Sequence, residues 1–542
     1  MDNRQLGRKE MQMRLIVSLI FVVPLIVLNL KGQMSLTLFL IQLMLLAPIV
    51  AVNRRIFVNG FIKMIAKQPD ADSLIALGAA ASIVILQISV AGVLLTLSAL
   101  GEWLEAKIAA RTGETLDTLL HENEVLDTQV SSLSEKIDRL FVPVVMGAAV
   151  LTFLLWAIFH HNMLLAALAG ISVLVVASPS SLELAAPAAF TVGVEKGRDE
   201  DIIIKRVKAL EQAQKIETVV LDKTGTITVG KPDVTDIVPL DDTFDIFLAA
   251  TIEKYSEHPL AKAIVEEASQ NPGIIEDPDV FEEIPGRGAK ATIRGRTFIA
   301  GNQAFMENKS IEPDYEAGHE LASHGKIVVY FAELEQREDG RFIGGHMIGI
   351  IALRDGPRPT SLRAVSQLEN MGIDVIMLTG DNADTAEAIR KEVCIDRAIA
   401  QVLPREKDQV IAKIQDDGRV MVAMVGDGLT DAEAIAQADV GMAFVSGTEI
   451  ADFDADIVLF RDDLTYVART IRLSRAVMTN IKQNMLWSIC YSFAGMLIAA
   501  GALFPLIGWL PGPMLSMFFM CLSPLLVTIN ALRIRKTKLY QK

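Results

Sequence analysis

The sequence predicts a multi-pass α-helical membrane domain combined with a soluble α/β domain that has an open parallel, Rossmann-like sheet. Apolar runs occupy both ends of the 542-residue chain, and short β-branched runs alternate with amphipathic segments in its middle. Hydrophobic residues make up 51% of the chain and charged residues 22%, with a mean hydropathy of +0.37. This composition is too apolar for an ordinary soluble protein and too charged for a purely membrane-embedded one.

Apolar runs mark the predicted membrane helices, since a spanning helix needs about 20 apolar residues. The run at 72–100 is interrupted near Gln87 to Ser89 and continues past Trp103, so it is counted as two helices. About eight spans result from this count. The runs lie at about 15–31, 35–52, 72–100, 141–159, 163–193, 485–507 and 509–530.

Basic residues flank the first and the last apolar run, which predicts that both termini are cytoplasmic. An even number of spans agrees with this orientation, and the predicted location is the cell membrane. A cleaved signal peptide is the alternative for the first run, but no small-residue cleavage site follows it. The basic residues are Arg4, Arg8, Lys9 and Arg14 before the first run, and Arg533, Arg535, Lys536 and Lys538 after the last.

The polar middle of the chain divides into two parts. Residues 109–140 are polar and favour helix, which predicts a helical hairpin or stalk. From about 198 to 480, short β-branched runs each end at a loop of Gly, Asp and Thr, which is typical of a parallel α/β sheet with its ligand at the carboxyl ends of the strands. These runs are Thr218 to Leu221, Val328 to Phe331, Val375 to Leu378 and Val420 to Val425.

Charge and cysteine content exclude two classes of function. The net charge of −15 argues against nucleic acid as a partner, because a phosphate backbone selects surfaces rich in Lys and Arg. The three cysteines, Cys394, Cys490 and Cys521, stand alone with no Cys-x-x-Cys pair. The sequence therefore supports neither a disulfide framework nor a thiolate metal domain.

Three of the strand-end loops carry residues suited to phosphoryl transfer. The strand from Thr218 to Leu221 delivers Asp222-Lys223-Thr224-Gly225-Thr226, where a carboxylate can attack a γ-phosphoryl group. Two further loops, Thr379-Gly380-Asp381-Asn382 and Gly426-Asp427-Gly428, would supply hydroxyl, backbone N–H and carboxylate groups. Lys407 adds a positive charge for the phosphate oxygens.

These motifs, in this order, resemble the motif series of the P-type ATPases. The series includes the run Ile-Thr-Val-Gly-Lys-Pro after Thr226, and also Asp431. Ser256-Glu257-His258-Pro259-Leu260 points to the heavy-metal, copper-type branch. The similarity runs from about residue 15 to 535 and implies a cytoplasmic haloacid-dehalogenase-like phosphorylation domain with an inserted α+β nucleotide-binding domain.

The resemblance also implies domain boundaries. They are 1–108 for membrane helices 1–4, 109–140 for the stalk, 141–197 for membrane helices 5–6, 198–233 and 354–480 for the phosphorylation domain, 234–353 for the nucleotide-binding domain, and 481–542 for membrane helices 7–8 with a basic tail.

Site roles follow from the same resemblance, position by position. Asp222 is the implied phosphate acceptor, with Lys407, Thr379 and Asp381 as catalytic partners and ATP and Mg²⁺ as cofactors. The residues implied around Mg²⁺ are Asp222, Thr224, Asp427 and Asp431. Those implied to bind the nucleotide are Glu253, His258, Gly286, Gly288, Gly380 and Asn382.

The sequence departs from the family pattern between the fourth and fifth spans. Heavy-metal pumps carry there an actuator domain of well over one hundred residues, whereas only the stalk of residues 109–140 is present here. Thr112-Gly113-Glu114 matches the actuator's dephosphorylation loop in letters, but it directly follows the fourth span and is interpreted as a coincidence. We expect the phosphoenzyme to hydrolyse slowly unless a separate actuator-bearing protein is a partner.

The membrane helices depart from the copper-type pattern as well. Ser178-Pro179-Ser180 stands where these pumps usually have Cys-Pro-Cys, and serine oxygens are harder ligands than thiolates. In the soluble part of the chain, Thr430 stands where the family has asparagine before Asp431, so we expect a looser magnesium and phosphate geometry. The tentative ligands of a transported metal cation are Ser178, Ser180, Glu183, Tyr491, Ser492, Met520 and Ser523.

Three functions are consistent with these features. The first is ATP-driven transport of a heavy-metal cation, with membrane lipid, the cation and a metallochaperone as partners. The second is a transport-incompetent or regulatory relative, or a deletion form, that binds ATP and phosphorylates Asp222 without efficient turnover. The third, a membrane-tethered phosphatase of the haloacid-dehalogenase type, is disfavoured because Thr224 occupies the place of that group's usual second aspartate.

Overall fold

The computed structural model divides into two compact units, which are described separately. The first consists of Met1–Glu200, Ile204–Gln214 and Arg472–Lys542, and the second of Asp201–Ile203 and Lys215–Ile471. The residues described are 3–29, 36–66, 71–116, 129–176, 180–284, 286–311, 315–323, 325–336, 342–381, 383–428, 430–444, 454–461 and 463–540.

The first unit begins with a series of mostly apolar helices that pack against one another through small and branched side chains. Leu25, Ile49, Leu94 and Leu95 lie in one shared core. The helices are α1 (Asn3–Asn29), α2 (Leu36–Val52), α3 (Arg54–Ile65), α4 (Ala71–Val84), α5 (Ile88–Leu116), α6 (Gln129–His160), α7 (Met163–Val176) and α8 (Ser180–Asp199).

The rest of the chain alternates strands and helices before it returns to helices. The elements are β1 (Ile202–Ile204), α9 (Val207–Gln212), β2 (Thr218–Asp222), β3 (Asp233–Pro239), α10 (Ile246–Glu253), α11 (Pro259–Gln270), β4 (Val280–Ile284), β5 (Gly288–Ile293), β6 (Arg296–Gly301), α12 (Gln303–Asn308), α13 (Tyr315–Ser323), β7 (Ile327–Gln336), β8 (Phe342–Arg354), α14 (Ser361–Glu369), β9 (Asp374–Leu378), α15 (Ala383–Glu392), β10 (Arg397–Ile399), α16 (Lys407–Gln415), β11 (Val422–Gly426), α17 (Ala432–Gln437), β12 (Val440–Phe444), β13 (Ile457–Leu459), α18 (Thr465–Ala499), α19 (Phe504–Ile507) and α20 (Pro513–Ala531).

The predicted membrane spans all fall on helices of the first unit. The run at 72–100 forms two helices, α4 and α5, as predicted, because the helical structure is interrupted between Val84 and Ile88. Among the described residues, three segments are long and apolar enough to cross a membrane: Glu10–Asn29, Leu140–His160 and Pro513–Lys536. The pair α2 and α3 meets the same criterion as one broken span bent by 70°. The total of eight spans therefore stays a prediction.

A seven-stranded sheet forms the centre of the phosphorylation domain, in the order β1-β13-β12-β11-β2-β9-β10. Strand β2 lies in the middle, parallel to β11 on one side and to β9 on the other. Its five residues are all buried, as are those of β11. A parallel sheet covered on both faces accounts for these continuous apolar runs.

A six-stranded antiparallel sheet, in the order β3-β8-β7-β6-β5-β4, forms the inserted domain. Phe244, Ile252, Ile264 and Phe331 pack between one face of this sheet and helices α10 and α11. The fold class is therefore as predicted: membrane helices, a Rossmann-like sheet, and an α+β domain inserted between β2 and β9.

One strand prediction is wrong. Val328 to Phe331 was assigned to the parallel sheet, but it lies in β7, which pairs antiparallel with β6 and β8. A short apolar run is compatible with either kind of sheet, because its direction depends on partners distant in sequence.

Candidate active site

Asp222 lies at the carboxyl end of the central strand β2. It is the last residue of that strand and is 4% exposed. The loops that follow the two neighbouring strands, β9 and β11, reach the same edge of the sheet because all three strands run parallel. The structure thus brings together the three loops on which the sequence placed the chemistry.

Lys407 bridges two carboxylates at this edge. Its Nζ donates to Asp222 Oδ1 and to Asp431 Oδ1, each at 2.6 Å. All three side chains are buried. Lys407 begins helix α16 directly after the short 3₁₀ turn Pro404–Glu406, which directs its side chain into the site.

The charges at this edge shift the pKa values of the paired groups. Burial first, and then the carboxylate of Asp431, raise the pKa of Asp222 to about 6, against the opposing effect of Lys407 and with a smaller contribution from Asp427. Burial acts to lower the pKa of Lys407, but the charges of Asp222 and Asp431 and their hydrogen bonds raise it above its ordinary value. Asp222, Asp431 and Asp427 thus interact here with the buried ammonium group of Lys407.

The loop after β9 contributes a second ion pair. Lys223 Nζ donates to Asp381 Oδ2. Thr379, which is 2% exposed, accepts a hydrogen bond on its hydroxyl from the N–H of Asp381 at 3.1 Å. Gly380 lies between these two residues, whereas Asn382 lies outside the described residues.

The loop after β11 places Asp427 beside Asp431. Asp427 Oδ1 accepts from both the N–H and the hydroxyl of Thr430, each at 2.9 Å, so Thr430 fixes the orientation of this carboxylate. The N–H of Asp427 in turn lies 3.4 Å from Asp431 Oδ2.

The side chains at this edge of the sheet are suited to Mg²⁺. Among the described residues, no group of three His, Cys, Asp or Glu side chains forms a preassembled metal cluster. Mg²⁺ usually takes only one or two protein carboxylates and completes its shell with waters and phosphate oxygens. The excess of negative charge around Asp222 and Asp427 fits this mode of binding. Thr224 is exposed in the loop that follows Asp222.

The sequence alone did not predict the residues that hold the loop after β2 in place. Asp355 accepts from the N–H of Gly230 and from the hydroxyl of Thr228. Arg358 donates to the carbonyls of Gly225 and Thr226. The run Asp355-Gly356-Pro357-Arg358-Pro359 carries a turn signature, but turn residues alone do not indicate which loop they contact.

A cavity of about 260 Å³ lies in the inserted domain. Glu253, His258, Gly286 and Gly288 all line it, so the four residues implied to hold adenosine are neighbours. His258 is the N-cap residue of helix α11 and accepts on Nδ1 from the N–H of Leu260 at 3.2 Å. Gly380 does not line this cavity.

Glu253 and Gly288 have distinct structural reasons to be there. Burial, with Glu283 as a second cause, raises the pKa of Glu253 to about 7. Gly288 has φ +145°, and a Cβ at this position would lie 1.9 Å from the carbonyl oxygen of Ala300. Only glycine lets β5 and β6 approach so closely beside the cavity.

The tentative cation ligands are only partly brought together. Tyr491 and Ser523 line one cavity between α18 and α20, and the Tyr491 hydroxyl donates to the carbonyl of Phe519 at 2.8 Å. Ser492 and Met520 are not among its lining residues. Ser178 lies outside the described residues, and for Ser180 and Glu183 only the helical backbone of α8 is described. These assignments stay predictions.

Comparison with known proteins places this geometry in a family. Residues 216–439 match the haloacid dehalogenase-like hydrolase family. The chain is 40% identical over 430 residues to a probable copper-transporting ATPase, PacS, of Synechococcus elongatus, covering 77% of this chain and 55% of that protein. It is 41% identical over 413 residues to a copper-exporting P-type ATPase of Staphylococcus epidermidis, covering 76% and 50%. The chain is a homologue of the copper-transporting P-type ATPases.

A solved structure of a zinc-transporting PIB-type ATPase in the E2.Pi state has the same fold as this homologue. It matches with a TM-score of 0.71 at 23% identity and covers 97% of this chain and 99% of that chain. The P-type ATPase homologue described here spans about half the length of the curated relatives it matches. It is a membrane protein with apolar helices.

Proposed function

We propose that this chain transports a heavy-metal cation, copper-like by resemblance, at the expense of ATP and through an aspartyl phosphate on Asp222. One observation carries the proposal: a buried aspartate at the end of the central parallel strand contacts the ammonium group of Lys407 at 2.6 Å. A carboxylate so placed can act as a nucleophile toward a phosphoryl group held at the sheet edge.

The residues divide the reaction between them. The cavity lined by Glu253, His258 and Gly288 would hold the adenosine of ATP. An oxygen of Asp222 forms a bond to the γ-phosphorus while the bond from that phosphorus to the bridging oxygen of the β-phosphate breaks, and ADP leaves. Lys407, released from Asp222, would neutralise charge on the phosphoryl oxygens.

Mg²⁺ would be held by Asp222, Asp427 and the carbonyl of Thr224, with Asp431 nearby. When bound, it would supply positive charge that offsets the charge of the phosphate groups. Thr430 orients Asp427 through two hydrogen bonds. Thr379 and the Lys223–Asp381 pair would position the phosphoryl group from the opposite loop.

The transported cation, the membrane and the partners belong to the same proposal. Ser178, Ser180, Glu183, Tyr491, Ser492, Met520 and Ser523 are the proposed cation ligands. We assign the chain to the cell membrane with both termini cytoplasmic, because basic residues flank the first and last apolar segments. A metallochaperone is a proposed partner.

A second function, ATP binding and phosphorylation of Asp222 without efficient turnover, is favoured by the short segment between α5 and α6. Only residues 117–128 intervene between α5 and α6, and twelve residues cannot form a domain. The chain would then bind ATP and phosphorylate Asp222 without efficient turnover, unless a separate actuator-bearing protein supplies the missing loop.

Phosphorylation from γ-labelled ATP tests the proposal. We expect acid-stable label on the full chain, its loss in Asp222→Asn, and faster formation with one cation among Cu(I) and Zn(II) than with a chelator. Absence of Asp222-dependent label under every condition would contradict both functions. Label that forms but does not respond to any metal would favour the second.

A further inference from the structure

One stripe of side chains runs along the membrane-domain part of α18. Arg475, Thr479, Gln483, Trp487 and Tyr491 follow one another at four-residue spacing, so they form a ridge that is inclined to the helix axis. Sixteen residues separate the first from the last, which corresponds to about 24 Å of helix. Two cavities between α18 and the segment Pro513–Lys536 open along this stripe.

The first cavity is basic. Its volume is about 660 Å³, and Arg475 and Gln483 line it from α18, opposite Arg533 and Lys536 in the turn that follows α20. Three cationic side chains and no carboxylate are among the described residues that line it. Such a cavity is complementary to a phosphate group.

The second cavity is mainly apolar and lies farther along the same two helices. It has a volume of about 250 Å³ and is lined by Trp487, Leu526 and Val527. Trp487 is 69% exposed and Leu526 47% exposed, and the nearby Leu486, Phe493 and Phe518 are also exposed. Exposed apolar side chains on a membrane helix face lipid. The cavity is therefore open to the hydrocarbon of the bilayer.

Asparagine side chains connect the two cavities. Asn480 Nδ2 donates to the carbonyl of Asn530 at 2.9 Å, Asn484 Nδ2 to Asn480 Oδ1 at 3.0 Å, and Asn530 Nδ2 to Asn484 Oδ1 at 2.8 Å. Arg533 Nη1 donates to Asn530 Oδ1 at 3.1 Å. These bonds hold α18 and α20 together and fix Arg533 at the basic cavity, so the groove is preorganised.

We propose that this groove binds one anionic phospholipid. The headgroup phosphate lies in the basic cavity among Arg475, Arg533 and Lys536, and one acyl chain lies along Trp487 and Leu526. One leaflet with its headgroups is roughly 20 Å thick, close to the length of the stripe. A zwitterionic lipid gains less, because its ammonium group would face three cations with no carboxylate in the cavity.

The apolar cavity also contains Tyr491 and Ser523, two of the proposed cation ligands, but the test of lipid binding requires no turnover. The full chain is reconstituted in phosphatidylcholine nanodiscs that contain one added brominated lipid. This lipid is either phosphatidylglycerol or phosphatidylcholine, and in both cases the acyl chains carry the bromine. Bromine quenches tryptophan fluorescence at short range. The signal of Trp487 is obtained as the difference between the natural chain and Trp487→Phe.

We expect brominated phosphatidylglycerol to quench Trp487 at a much lower mole fraction than brominated phosphatidylcholine. Arg533→Gln combined with Lys536→Gln should weaken phosphatidylglycerol binding about thirtyfold, since each basic residue contributes a similar share of the attraction. Lys536→Gln alone, which leaves the Arg533–Asn530 bond intact, should weaken it about fivefold. Lys538→Gln, which removes a basic residue of the same tail that does not line the cavity, should leave it unchanged.

Two results would overturn the proposal. One is equal quenching by the two brominated lipids in the natural chain. The other is that Lys536→Gln and Lys538→Gln behave alike. Inorganic phosphate is added in a separate arm, against chloride at the same ionic strength. Full loss of the phosphatidylglycerol preference with phosphate alone would make the cavity a site for free anions and not for a lipid.

Discussion

Lys407 is the residue on which the electrostatics of the phosphorylation site depend. It contacts Asp222 and Asp431, both of which are buried, and Asp427 lies close enough to act on Asp222. Buried carboxylates without a nearby cation are costly, because desolvation penalises the charged form. Lys407 therefore acts as their counter-ion, and a bound phosphoryl group with its magnesium would take over part of that task.

Replacement of Lys407 by methionine should therefore affect stability as well as phosphorylation. We expect Lys407→Met to destabilise the catalytic unit by roughly 3–5 kcal/mol and to abolish labelling of Asp222. Adding Asp431→Asn should recover part of the stability, because one buried negative charge is removed. Thermal unfolding of the full chain measures the effect, and Lys413→Met, at an exposed position of the same helix, is the matched control. Equal unfolding temperatures for the two single variants would contradict this account.

Glu253 gives the nucleotide-binding domain a stability that depends on pH. Its pKa in the folded chain is about 7, raised from 4.5 by burial. A raised folded pKa means that the carboxyl group's contribution to stability is complete below pH 4.5 and is lost as the pH rises to about 7.

Glu253→Gln should therefore stabilise the chain above neutral pH only. We expect a gain of up to roughly 3 kcal/mol at pH 8 and little change at acidic pH, where the glutamate is already neutral. Unfolding temperatures of the full chain at pH 8 and at acidic pH test this. Glu266→Gln, exposed on α11, should show no such difference, and a pH-independent gain for Glu253→Gln would argue against the assigned cause.

At the scale of elements, the loop after β2 owes its shape to the segment that re-enters the phosphorylation domain after β8. Arg358 Nε donates to the carbonyl of Thr226 at 3.0 Å, and the Ser361 hydroxyl donates to that of Ile227 at 2.6 Å. Asp355 holds the next turn through Thr228 and Gly230. Contacts between two segments more than one hundred residues apart thus hold the loop that follows Asp222.

Loss of Arg358 should slow phosphoryl transfer without weakening ATP binding. We expect Arg358→Ala to reduce the single-turnover rate of Asp222 phosphorylation by about tenfold to a hundredfold, because a small misplacement of the nucleophile is enough to do so. Arg358→Lys should recover little, since lysine lacks the fork that reaches two carbonyls. ATP affinity, measured with a fluorescent nucleotide, should stay unchanged, and Arg363→Ala, exposed on α14, serves as the control. A parallel loss of affinity would show a global effect.

What the sequence predicts well at this scale is local. Strands β2, β9 and β11 are short apolar runs that end at or directly before Gly, Asp or Thr residues, and parallel strands place these ends at one edge. The contacts of Arg358 and Asp355 could not be predicted, because they join distant segments mainly through backbone carbonyls and a backbone N–H, which leave no residue pattern. The predicted direction of β7 was wrong because its pairing with β6 and β8 determines that direction.

At the scale of the whole molecule, the unresolved point of chemistry is what removes the phosphate. The second unit carries Asp222, its counter-ion Lys407 and the cavity lined by Glu253 and His258, all within residues 215–471. The family's dephosphorylating loop has no counterpart of domain size between α5 and α6, where twelve residues intervene. Formation of the phosphoenzyme and its hydrolysis are thus expected to depend on different domains. The domain expected to promote hydrolysis is absent between α5 and α6.

A pulse of γ-labelled ATP followed by an unlabelled chase separates the two steps. We expect label on Asp222 to form readily and to decay slowly, and decay to accelerate when a purified actuator domain from a copper-transporting relative is added. The same domain with its Thr-Gly-Glu glutamate changed to glutamine is the control, because it retains docking but lacks the carboxylate that orients water. Fast, metal-dependent decay of the chain alone would contradict the expectation, since it would mean that residues within this chain already position the attacking water. Slow decay with the added domain as well would indicate that the phosphoenzyme is an end state, and transport would then not be its function.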